Sequence, residues 1–273
     1  MKPLKHKIDV CLAVAEATYK EWAAYRTHSM VSILVGPVFL LVQYFIWTAV
    51  YGSTSTLGGL SLEQMIRYFG ASSLIGYITM DFADWNLQML VRTGKFLTFT
   101  LRPIHHRFFA LSQKFGHRVL GLLVEFIPCL VIFVLLFDIN MMPVNIPLTI
   151  ISIILAFFVN FYVNYTLGLL GFWLVDASGI SRFVGILTSI FSGTLVPLTL
   201  FPEWAQYILL FMPMSYMGYA PAMIWTTGHF TLGGLTMDGY LAVGLQLFAA
   251  FIMFIVSEIF YRISIRRFSG VGA

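Results

Sequence analysis

Glu125 has the side chain best placed to do chemistry within an apolar run. It stands in VLGLLVEFIPCLVIFVLLF, residues 119–137, which hold no other charge. An ionised carboxylate at membrane depth costs at least ~2.5 kcal/mol, so the group must be paired, protonated or turned toward water. One reading makes it a polar point on a transport path or subunit interface. The plainer one pairs it with a base near the end of the segment. Asp81 and Asp84 lie three apart and suit either a proton site or, more simply, a solvated helix end. Asn160 and Asn164 lie four apart, on one helical face, where amides bind helices together by hydrogen bonds. Glu258 and Arg262 have the spacing of a helix-surface ion pair. Arg67, Glu63 and Asp138 offer a further pair, of a kind worth little at a surface.

Enzyme chemistry finds no foothold. His105 and His106 are adjacent but lack companion ligands, so no metal residues are assigned. Cys11 and Cys129 are isolated thiols. No serine elbow, Cys/His pair or H-E-x-x-H helix occurs, and no catalytic residue is assigned. A G-x-x-x-x-G-K-[ST] phosphate loop is missing, Gly94-Lys95 included, so ATP hydrolysis by that route is excluded. The chain is expected to bind no cofactor and to be no enzyme by itself.

Most of the 273 residues serve to build the elements that carry these groups. Apolar types make up 59% and Asp, Glu, Lys and Arg only 10%, against roughly 25% charged in a soluble domain. The mean hydropathy is +0.86. These figures exclude a soluble enzyme and a disordered chain, and predict a single all-α transmembrane domain over 1–273. At ~20–25 residues per crossing plus loops, about six spans fit. They are expected at 30–51, 65–85, 119–137, 146–175, 183–200 and 240–259. Gly179 reads as the stop of the fourth. Residues 8–27 read as an amphipathic helix lying on the membrane surface. On this topology every Lys and Arg except Arg67 falls on one side. The positive-inside rule then puts both termini in the cytoplasm, as a multi-pass protein of a bacterial-type plasma membrane. The pI near 9 reflects these loops, and no nucleic-acid partner is implied.

Two stretches exceed a plain six-helix bundle. Residues 202–228 are apolar, with Pro202 at a first helical position, a break at Pro213, and Trp204, Tyr216, Pro221 and Trp225 among them. They predict a re-entrant outer hairpin of two helices, the second capped by Ser215 and ended by Gly228. Residues 86–118 carry six bases together with many Phe and Leu. Between Gly94 and Pro103 a short helix over 95–102 is expected to display Phe and Leu to the cytoplasm, as a docking surface would. A membrane-hugging basic loop is the alternative.

This order of elements resembles the membrane subunit of an ABC-2 type exporter, of the type V architecture with small paired permeases and a separate ATPase. The motifs are RTGKFLTFTLRP at Arg92–Pro103, SGTLVPLTLFPEWAQYILLFMPMSYMGYAPAMIWTTG at Ser192–Gly228, and the terminal RRFSGVGA. The resemblance implies an ATP-driven export permease for an amphipathic cargo, such as a drug-like molecule, peptide, lipid or glycan. It implies two cytosolic ABC ATPase subunits, which hold the ATP and Mg, and a second membrane subunit, identical or paralogous. Phe96, Leu97, Phe99 and Leu101, flanked by Lys95 and Arg102, would form the coupling helix. The hairpin of Pro202, Trp204, Pro213, Tyr216, Pro221 and Trp225 would close the outer gate. Two rivals stand beside it. An ion-coupled carrier or channel would use Glu125, with Asn160 and Asn164 as further path or interface residues. A membrane assembly factor would transport nothing.

Overall fold

The computed structural model describes residues 2–24, 33–102, 104–174 and 176–266. The expected ends of the amphipathic helix (25–27), the first residues of the first span (30–32), Pro103, Val175 and residues 267–273 of the terminal motif lie outside them. The described chain is helical apart from one β-hairpin. Three helices are long and apolar enough to cross a membrane, and two shorter apolar ones accompany them. The protein is a multi-pass membrane protein.

The amphipathic helix α1 runs Lys2–Ala24. Helix α2 is Val35–Val50 and α3 is Leu62–Thr79, opened by a capping box between Ser61 and Gln64. The single helix expected over 65–85 is therefore a correction. It breaks at Met80–Phe82 and resumes as α4, Ala83–Arg92. The Asp81 side chain makes the break, because its Oδ1 accepts the Ala83 N–H at 3.0 Å, the local bond by which Asp competes with helix. Gly94, at φ +71°, stops α4, and the short α5 holds only Leu97–Thr100.

Helix α6 runs unbroken from His106 to Phe137, well upstream of the expected Val119. One turn, Leu122–Phe126, is π-helical, and the Ile127 N–H reaches back five residues to the Leu122 carbonyl. Helix α7 covers Ile146–Phe172, its last turn tightened to 3₁₀. Helix α8, Ser178–Phe191, starts before and ends short of the expected 183–200. Gly179 sits in its first turn instead of stopping α7. Gly193, at φ +75°, ends the helical path soon after Phe191.

The Pro-rich segment forms α9 (Glu203–Phe211), a 3₁₀ turn (Pro213–Tyr216) and α10 (Tyr219–Thr227). Ser215 does not cap α10. Its hydroxyl donates to the carbonyls of Leu209 and Met212, both at 2.7 Å, and so ties the turn to α9. Gly228 ends α10 at φ +76°. Strands β1 (His229–Leu232) and β2 (Leu235–Asp238) follow, antiparallel, with Leu232 opposite Leu235. Gly233 and Gly234 both take positive φ, as a two-residue primed turn requires. The sequence reading had no strands here. Helix α11, Gly239–Ile265, closes the chain.

The main core gathers on α3 and α10. Every residue from Tyr219 to Thr226 is buried, so α10 is an interior helix and not an interfacial one. Buried Gln246 of α11 joins three elements. Its amide donates to the Ser152 and Tyr216 carbonyls, each at 2.9 Å, and accepts the Ser152 hydroxyl at 2.7 Å. Helix α8 contrasts with these, having no buried residue along its length.

Candidate functional site

Arg92, Lys95, Arg102, Arg107, Lys114 and Arg118 collect at one end of the bundle, where α1, the α3–α4 break, α4, α5 and the start of α6 meet. The amphipathic helix packs along α6. A side chain at Gly116 would run into the Ala15 backbone, so only glycine lets the two helices approach this closely. Trp22, near the end of α1, lies 4.0 Å from the His117 ring and stacks on Phe82 at 6.2 Å. Gly116→Leu is expected to push α1 from this groove and to cost about 1–3 kcal/mol, the range for overpacking. Limited proteolysis of the purified protein checks it, with α1 cut faster and the remaining bundle intact.

Two buried ion pairs brace the break. Lys114 and Asp81 side chains are both nearly inaccessible and stand 3.3 Å apart. Lys114 also donates to the Phe157 carbonyl at 3.0 Å. Four residues on, Arg118 donates to the Tyr77 carbonyl at 2.6 Å, one of the orphan acceptors at the end of α3. Its Nη1 lies 3.8 Å from Glu125. A Cβ on Gly121 would sit 3.1 Å from that carboxylate and 3.3 Å from the guanidinium, so the small residue leaves them room. Asp81 is thus not the solvated helix end expected of it, and Glu125 has the basic neighbour that its plainer reading requires. The signal lay in α6 itself: Lys114, Arg118 and Glu125 follow at steps of four and seven, on one helical face.

The turn after α4 is pinned at its base and exposed at its tip. Phe96 is only 1% exposed and packs with Leu87, Phe161, Tyr165, Leu169 and Tyr261. Its N–H returns to the Leu90 carbonyl at 3.0 Å. Phe96 is therefore no part of an exposed face, contrary to expectation. Phe99 is half-buried, edge-on to His106 at 4.7 Å and to Phe109 at 5.0 Å. Arg102 lies over the Phe99 ring at 4.7 Å. Leu97 and Leu101 are 52% and 83% exposed, and Lys95 is exposed beside them. The order reflects packing: helix α4 ends where the bundle still offers a hydrophobic pocket, so the first aromatic is drawn inward and later residues project.

His106 hydrogen-bonds Tyr165 at 3.1 Å, a core contact. Burial holds the neighbouring His105 below its usual pKa, while the Glu258 carboxylate pulls the other way. Glu258 pairs with Arg262 at 2.7 Å, as expected, and also with Arg107 at 2.8 Å, which fastens α6 to α11. No cluster of metal-ligating side chains occurs among the described residues. Asn160 and Asn164 bond to each other at 2.8 Å along α7, and among the described residues neither side chain bonds to another helix.

At the opposite end the Pro-rich segment divides into a buried and an exposed half. Tyr216, Pro221 and Trp225 are buried, whereas Pro202 and Trp204 are exposed and Pro213 is intermediate. Trp225 donates to the Met141 carbonyl at 2.9 Å, and the Val144 N–H to the Trp225 carbonyl at 3.1 Å, which sews α10 to the α6–α7 loop. Tyr68 of α3 donates to the Gly193 carbonyl at 2.7 Å. Arg67 donates to the Met142 carbonyl, and no ion pair joins it to Glu63 or Asp138 among the described residues.

The arrangement can hold one apolar tip outward at the basic end, on a rigid base, next to a charged joint in the helix that carries it. Comparison with known proteins gives a family match: residues 38–272 match the family described as ABC-2 family transporter protein. No curated protein matches the chain.

Proposed function

Since the chain belongs to the ABC-2 transporter family, we propose that it is the permease subunit of an ATP-driven exporter that moves an amphipathic cargo out of the cytoplasm. Two cytosolic ATPase subunits bind ATP and Mg and supply the energy. A second membrane subunit, the same chain or a paralogue, completes the pathway. The chain crosses a bacterial-type plasma membrane six times, with both termini and the basic end in the cytoplasm. Helix α8, without buried residues, faces lipid or the second subunit.

The observation that carries this reading is the turn from Gly94 to Arg102. A soluble loop seldom exposes leucines on a base as firmly packed as Phe96. Leu97 and Leu101 enter a cleft on the ATPase, with Lys95 and Arg102 at its rim. The pinned base passes motion into α4 and the Met80–Phe82 joint. Trp204 and the rest of α9 lie at the extracellular surface, and the α10 hairpin closes the outer end.

An affinity pull-down of the tagged protein in mild detergent, with each co-purifying chain identified by mass, tests the proposal. A stoichiometric soluble ATPase is expected. Purification of the chain alone from several detergents would sink the reading. Glu125→Gln is expected to leave ATP-driven transport largely intact, because Arg118 already binds the Tyr77 carbonyl and does not depend on Glu125 alone. Transport by proteoliposomes checks this, and loss of coupling to a proton gradient would favour an ion-coupled carrier.

A further inference from the structure

Beneath α1 lies a cleft of about 600 Å³, between α1, the Met80–Phe82 break, α4 and α6. That volume falls within the roughly 300–1,000 Å³ of small-molecule sites. Its walls are mainly apolar and aromatic. Trp22 and Phe82 stack within it, and Trp85, 59% exposed, stands among the lining residues. We infer that this cleft binds an amphipathic organic cation, with its apolar body against the tryptophans and its charge beside Glu21.

The charge balance selects the sign. Asp81 and Lys114 both line the cleft but neutralise each other at 3.3 Å. Lys114 is the only Lys or Arg among the described residues that line it. Glu21 remains, an exposed carboxylate with no hydrogen bond or ion pair among the described residues. Glu16, one turn and a residue earlier on α1, is instead held by Lys20 at 2.6 Å. The rest of this end is rich in Arg and Lys, so an anion would have better places to go. A cation finds here an acid together with aromatic faces, the two groups that attract it in a partly desolvated site. The inference does not depend on an ATPase partner, and its test uses the membrane chain alone.

Equilibrium dialysis of the purified full chain in detergent against tetraphenylphosphonium is the experiment, with tetraphenylborate, the anion of matching shape, dialysed against a separate sample. Saturable binding of one cation per chain is expected, and no saturable binding of the anion. Glu21→Gln should weaken binding about tenfold, and Trp22→Ala by a similar factor, each near 1.4 kcal/mol. Glu21 is at the surface, so its variant keeps the fold, and an unchanged melting temperature verifies that. Non-saturable uptake of the cation, saturable binding of tetraphenylborate with equal affinity, or full affinity in Glu21→Gln would each overturn the inference. Failure of the pull-down described above would leave this result untouched, and the reverse holds too.

Discussion

Replacing Leu97 and Leu101 together with aspartate is expected to abolish capture of the ATPase while leaving the permease folded and abundant. Both side chains are exposed, so the folded chain loses little by the change. A docked leucine contributes about 1.5–3 kcal/mol by burial, and two amount to a loss of at least a hundredfold in affinity. The two new carboxylates add a desolvation cost. Phe96→Ala should behave in the opposite way. Its ring is enclosed by Leu87, Phe161 and Tyr165, and its removal costs about 3–5 kcal/mol of fold stability. The pair of variants separates docking from folding. Co-purification and melting temperature are measured on the same samples. Normal ATPase capture by the double aspartate variant would remove α5 from the interface.

Breaking the Asp81–Lys114 pair is expected to damage the fold as severely as removing the Phe96 ring. Neither side chain reaches solvent to any useful extent, so Asp81→Ala strands a buried ammonium and Lys114→Ala a buried carboxylate. Such losses run at about 3–5 kcal/mol. Replacing both, as Asp81→Leu with Lys114→Met, removes the two charges together and should restore most of the stability. Melting temperatures of the four proteins form a double-mutant cycle. Additive effects in that cycle would mean that the pair does not brace the joint. If the joint also transmits motion, the double variant should fold well yet uncouple ATP hydrolysis from transport.

The long apolar helices were legible because hydropathy alone places them, and α6, α7 and α11 each cover all or most of one of the expected apolar runs. The breaks were harder. Asp81 reads as a helix-end charge by sequence, and only the position of Lys114, 33 residues away, turns it into a buried helix breaker. Phe96 and Leu97 are equally apolar, and sequence cannot tell which one turns inward. That is decided by the pocket that Tyr165 and Tyr261 build from distant helices. Gly179 carries a stop signal that the preceding 3₁₀ turn had already made unnecessary. The hairpin was written in Gly233-Gly234 between short apolar pairs, but surrounding hydrophobicity masked the alternation. The Pro-rich hairpin was recognisable by its breakers, whereas the burial of α10 depends on α3 lying beside it.

The π-helical turn at Leu122–Phe126 sets the angular phase between the two halves of α6. Each residue of an α-helix turns the chain by about 100°, so one extra residue in a turn rotates everything beyond it by that amount. With the extra residue, Lys114 and Arg118 face the end of α3, while Cys129 and Phe133, on the far side, face the core. Removing any one residue from 122–126 would barely shorten the helix, yet would swing one of these two faces away from its partners. Length is therefore a forgiving property of this segment and residue count is not. A helix with such a stored turn can relay rotation as well as thrust between the two ends of the bundle.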